Sequence, residues 1–225
     1  MQERQGPDPG PQAGQRRRNL EDPAQVTSAR AALRRSGGAL LLALLGAAAH
    51  AADALAPGAR EGDLIFREGT EAVSAAVMAV DRGAYSHVGM LVGQPGSWRV
   101  VHATPSEVRG RPDGVVVDTL AFFTDARRSR RHAVYHVQAG DDARRRAVGL
   151  ALSMRGRPFR IADPAGTYCT ELVWKAWRDA GLDLEVRFTP LALPLMPGRY
   201  LLPSDLLASP RLRPLAQDVL LPAGS

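Results

Sequence analysis

The chain has 225 residues, 45% of them apolar, and a formal net charge of +6. That supports one core of ordinary size. Residues 1–51 carry seven arginines against four acidic residues, so the rest is only mildly basic, which argues against a nucleic-acid partner. A single cysteine, Cys169, excludes an internal disulfide.

Residues 1–25 are rich in Pro, Gly, Gln and Arg. They read as a disordered or mis-assigned N-terminal extension. Residues 26–51 have the form of a secretory signal peptide. Arg30, Arg34 and Arg35 precede an apolar run at 39–49, and Ala49-His50-Ala51 offers a small-x-small cleavage site. The run is short for a membrane span. The pattern places the true start near Val26 and the mature chain at 52–225, periplasmic or secreted. With no cysteine near the cleavage site, it also excludes a lipid-anchored mature protein.

Along 52–225, residues 63–67 form a short apolar strand candidate. From 70 to 81 the apolar positions recur at helical spacing, with Thr70 placed to cap. Strands follow at 87–92 and 98–103, in hairpin relation, then at 115–117 and 133–137. A helix opens at Asp141 and stops at Gly156-Arg157-Pro158-Phe159. Another starts near Cys169 and ends before Gly181, and it places Cys169 on the inward face with Leu172 and Val173. The tail from Thr189 is proline-rich, with a short stretch at 203–207 that could cap the domain. No repeat or second domain is evident. Strand, helix, a run of strands and two helices predict an α+β fold, an antiparallel sheet packed against helices.

The chemistry centres on three residues. A thiol at a helix N-terminus meets free N–H groups and the positive end of the helix dipole, so Cys169 is expected to favour the thiolate. His87, on a strand, is the candidate base. His102, on the neighbouring strand, is the candidate orienter, because paired strands bring side chains together on one face. Two histidines and a cysteine could instead hold zinc, but the spacing matches no compact zinc motif, so neither a metal nor a cofactor is assigned. Asp63 reads as capping a turn and Glu171 as suiting the first turn of its helix. His132 and His136 read as strand or surface residues. Arg127, Arg128, Arg130 and Arg131 read as a solvated basic loop, or as a peripheral contact with anionic lipid.

Three segments carry a family resemblance: Gly62-Asp63-Leu64-Ile65-Phe66, Tyr85-Ser86-His87-Val88-Gly89-Met90 and Tyr168-Cys169-Thr170-Glu171-Leu172-Val173. With Leu202-Pro203-Ser204-Asp205-Leu206 they resemble, in order, the YiiX/YebB-like cysteine hydrolases, a circularly permuted branch of the NlpC-type, papain-like fold. Histidine before cysteine fits that permutation. The resemblance covers about 62–209. It implies Cys169 as nucleophile, His87 as general base and His102 in the third, polar position. The Cys169 N–H would belong to the oxyanion hole. Arg160 stands where an acidic residue is expected.

The leading expectation is an exported hydrolase of amide bonds acting through a thioacyl-enzyme. Its candidate substrates are a small cell-wall peptide, a peptidoglycan fragment or an N-acyl amino-acid lipid. The alternatives are a lipid-directed thiol acyltransferase or phospholipase, and a non-catalytic binding module on the same fold. An apolar groove beside Cys169 would favour lipid, and polar walls would favour peptide.

Overall fold

The computed structural model describes residues 55, 58–161, 163–193 and 196–215. The signal-peptide pattern and the stretch ahead of it lie outside the described residues. Among the described residues, no helix is long and apolar enough to cross a membrane.

In chain order the elements are β1 (Leu64–Gly69), α1 (Ala72–Asp81), β2 (His87–Val92), β3 (Arg99–Thr104), β4 (Gly114–Thr119), α2 (Leu120–Thr124) and β5 (Ser129–Val137). They continue with α3 (Asp141–Ser153), α4 (Cys169–Asp179), β6 (Thr189–Leu193), β7 (Met196–Tyr200), α5 (Pro203–Leu207) and β8 (Leu212–Pro214). Six strands form one antiparallel sheet in the order β4-β3-β2-β1-β5-β8. β6 and β7 make a separate hairpin. The architecture is α+β, as the order of elements predicts.

β1 lies at the centre, and Leu64, Ile65 and Phe66 are fully buried. Side chains of a strand alternate between faces, so this apolar run needs cover on both. Leu64 and Phe66 join the core under α3 and α4, with Ala147, Ala151, Leu172 and Trp177. Ile65 joins a smaller cluster with Leu91, Val100, Leu120 and Phe123. α4 is strongly amphipathic: Leu172, Val173, Ala176 and Trp177 are fully buried, at successive helical positions on one side. Burial of each large apolar side chain contributes about 1.5–3 kcal/mol. Gly62 is needed where the chain enters β1. Its φ is +83°, and a Cβ there would sit 3.1 Å from the Trp177 ring.

Several local expectations are corrected. Thr70 does not cap α1: Glu71 holds the N-cap position, and the Thr70 hydroxyl donates to the Arg127 carbonyl at 2.7 Å. Asp63 is more than a turn cap. It accepts from the Arg60 N–H at 2.9 Å, but it is fully buried and ion-paired with Arg144 at 2.7 Å, where Arg144 also reaches the Glu61 carbonyl. His136, in β5, lies 3.2 Å from Asp63. The short α2 and the β6–β7 hairpin were hidden: a five-residue helix shows little periodicity, and Pro190 and Pro197 disguise the hairpin strands.

Candidate active site

The ladder between β2 and β3 runs from Val92↔Arg99 to Met90↔Val101 and ends there. Beyond it the strands part. The backbone N–H of Val88 acts electrostatically on the sulfur of Cys169, the first residue of α4. The helix mouth thus lies beside the end of this ladder. Two bonds fix it there: the Leu201 N–H donates to the Tyr168 hydroxyl at 3.0 Å, and the Thr170 hydroxyl donates to the Leu201 carbonyl at 2.6 Å. Gly89 permits the neighbouring strands to close up, since a Cβ there would lie 2.3 Å from Val100 Cγ1.

The structure brings all three sequence-predicted residues to this place. Cys169 and His87 line one cavity of about 280 Å³. His87 Nε2 is 2.8 Å from His102 Nδ1. His87 stacks on Phe123 at 5.6 Å between ring centroids, and His102 meets the same ring edge-on at 5.1 Å. Both imidazoles are buried.

Sequence reasoning missed four polar residues around them. His102 Nε2 lies 3.1 Å from Asp118 Oδ2, and Asp118 Oδ1 accepts from Arg111 at 2.6 Å. On the other side Arg67, 1% exposed, donates to Glu107 at 2.7 Å and to the Phe123 carbonyl at 3.2 Å. Glu107 also accepts from the Thr104 hydroxyl at 2.7 Å. Asp118 had a visible signal, a carboxylate closing the run Val115-Val116-Val117. Arg67 had one too, a charge at the end of an apolar strand.

The electrostatics overturn one expectation. Burial pushes the Cys169 thiol up to about 11. The N–H groups of Val88, Thr170 and Cys169 and the charge of Arg67 all act in the opposite direction, and burial outweighs them. Burial also carries His87 well below its usual pKa, helped by the Arg67 charge and by His102. His102 is lowered by burial, against the Asp118 hydrogen bond that raises it. Asp118 is held at about 2: its bonds to His102 and Arg111 overcome the burial that opposes them. The resting site is therefore a neutral thiol beside a neutral imidazole, not an ion pair.

His87, His102 and Glu107 bring ligand-type atoms within 4.8 Å of one another. The donor set does not fit a metal ion. Glu107 is committed to the buried Arg67 cation, which would repel a second one, and the two imidazoles are bonded to each other.

No curated protein matches the chain significantly. It is similar in structure to the metalloprotein YiiX from Escherichia coli O157:H7, with 20% identity and a TM-score of 0.58, over 71% of this chain and 97% of that one. At that identity the likeness speaks for the fold. The family model of the permuted papain-like amidases matches residues 58–212, a span that contains strands β1 to β5, α3, α4 and every residue of the site. The chain therefore belongs to the permuted papain-like amidase family YaeF/YiiX, C92.

Proposed function

We propose that this protein is an exported cysteine amidase that cleaves the amide bond of an acyl-chain-bearing substrate through a thioacyl-enzyme. The observation that carries the reading is the shared cavity. Cys169 and His87 open into it beside walls formed by Val73, Val77, Phe159 and Ile161. An apolar trough next to a nucleophile suits an acyl chain better than a cell-wall peptide. At its polar end, Arg67 Nε and Glu107 Oε2 are buried without a hydrogen-bond partner. A charged pair lining the cavity beside an apolar wall suits a polar head group joined to an apolar tail. Export rests on the tripartite pattern of residues 26–51.

In this reading Cys169 passes its proton to His87 as the sulfur attacks the amide carbonyl. A C–S bond forms and the carbonyl oxygen takes up negative charge, which the Cys169 N–H would meet. His87 then protonates the leaving nitrogen, the C–N bond breaks and the amine departs, leaving a thioester. Water attacks the thioester with His87 as base, releasing the acid and restoring the thiol. Because His87 is held neutral at rest, it is ready to accept the first proton.

Intact mass after incubation with a long-chain N-acyl amino acid, and separately with a muropeptide, tests this. The expected result is an acyl-sized adduct on Cys169 from the lipid amide, absent in Cys169→Ala. An adduct from the muropeptide alone would move the assignment to cell-wall peptide. Transfer of the acyl group to an added amine in preference to water would make the protein an acyltransferase.

A further inference from the structure

We propose that Asp118, anchored by Arg111, is a positioning residue that sets which nitrogen of His87 carries the proton, acting through His102. The inference rests on the reading of His87 as the base for Cys169. It follows from counting donors and acceptors along one chain of contacts. An ionised carboxylate only accepts. Asp118 Oδ1 is taken by Arg111 at 2.6 Å, and Oδ2 faces His102 Nε2 at 3.1 Å, so His102 must carry its proton on Nε2. Its Nδ1 is then a bare lone pair. That lone pair faces His87 Nε2 at 2.8 Å, so His87 must carry its proton on Nε2 as well. What remains on His87 is an unprotonated Nδ1, the state a base needs. A neutral imidazole has no preference strong enough to guarantee this arrangement; the bond made by the other nitrogen decides it.

Geometry keeps the chain in register. Phe123 stacks on His87 and meets His102 edge-on, which restrains rotation of both rings. Asp118 sits on β4 and His102 on β3, adjacent strands of the same sheet. When His87 takes the thiol proton it becomes a cation, and a single proton has moved. Both existing N–H bonds stay in place, and the Asp118 carboxylate stands at the far end to stabilise the new charge. The other charged or titratable groups around the pair are Arg67 from β1, Glu107 and Arg111 from the β3–β4 loop and Cys169 from α4. Glu107 is tied to Arg67, which leaves Asp118 as the carboxylate bonded to the imidazole pair.

The test is a pair of variants assayed on a short, water-soluble amide across pH. Asp118→Asn is expected to lower kcat about tenfold to a hundredfold with little change in KM. It should also move the acid limb of kcat/KM to lower pH, because the charge that favours the protonated imidazole is gone. In a His102→Asn background the new side-chain carbonyl can accept directly from His87, so adding Asp118→Asn should change kcat less than about twofold. Equal losses in both backgrounds, or an unmoved acid limb, would overturn the proposal. Histidine nitrogen shifts in the unmodified protein give a readout free of folding effects. His87 and His102 should both be protonated on Nε2 at neutral pH, and a proton on His87 Nδ1 would overturn the assignment. Full activity in Cys169→Ala would instead remove the underlying mechanism, and an inactive Cys169→Ala beside an unaffected Asp118→Asn would remove only the role of Asp118.

Discussion

Arg67 stands opposite His87 in the β1–β2 ladder, and after burial its charge is the main reason His87 stays neutral. Arg67→Gln removes that charge and leaves Glu107 beside the imidazoles with only the longer ion pair to Arg128. Both changes favour the protonated ring. The acid limb of the pH–rate profile, expected below 6.5 in the native protein, should climb toward 6.5 or beyond in the variant. A limb that stays in place would show that burial alone sets the basicity of His87.

The same lowering predicts how stability follows pH. In the folded chain His87 and His102 titrate below 6.5, the ordinary value that the unfolded chain retains. Their contribution is complete above 6.5 and is lost as pH falls from there through their folded values, because the unfolded state binds more protons. The urea midpoint should therefore decline as pH drops below about 6.5. His102→Asn should flatten that decline.

Cys169 should react as a partly buried, protonated thiol. With its pKa pushed up to about 11, its alkylation by iodoacetamide should keep accelerating well above pH 9 in the absence of substrate. A plateau at neutral pH would mean that a thiolate is already present at rest. Cys169→Ala should abolish turnover and His87→Ala nearly so. For His102→Ala the loss should be on the order of tenfold to a thousandfold, measured as kcat/KM.

The Arg67–Glu107 pair is a stability liability if split. Both side chains are almost wholly buried. Arg67→Met alone should cost about 3–5 kcal/mol by leaving the buried Glu107 carboxylate with only the longer ion pair to Arg128 at 3.8 Å. Arg67→Met combined with Glu107→Leu should recover most of that loss. Chemical denaturation of the single and double variants measures the difference.

Gly89→Ala probes the place where β2 and β3 part. An added methyl would meet Val100 Cγ1 at 2.3 Å and His102 Cβ at 3.1 Å. Overpacking there should cost about 1–3 kcal/mol and displace His102 from His87. The expected outcome is a larger fall in kcat than in thermal stability. A fall in stability alone would mean that the strands absorb the methyl without moving the imidazoles.

Much of the frame was legible because it rests on local pattern. The strand at 87–92, the helix from Asp141 and the amphipathic stripe of α4 all announce themselves by period, and the structure starts them where expected, while the strand expected at 133–137 begins four residues earlier, at Ser129. Cys169, His87 and His102 could be selected because few residue types perform this chemistry and the chain holds few of them. Asp118 and Arg67 left only a weak mark, a charge at the end of an apolar strand, and Arg111 and Glu107 left none: aspartate, glutamate and arginine are common, and their place at the site comes from sheet register and burial. Nor could the state of the thiol be read. A helix N-terminus argues for a thiolate, and only the depth of the sulfur shows that desolvation wins.

The nearness of the Val88 N–H to the Cys169 sulfur gives the molecule a built-in reporter. Acylation of the sulfur would change the electron density that the amide proton of Val88 faces. The covalent intermediate should therefore announce itself in the backbone of β2, as a displaced amide resonance at one position, and the signal should return when the thioester is cleared.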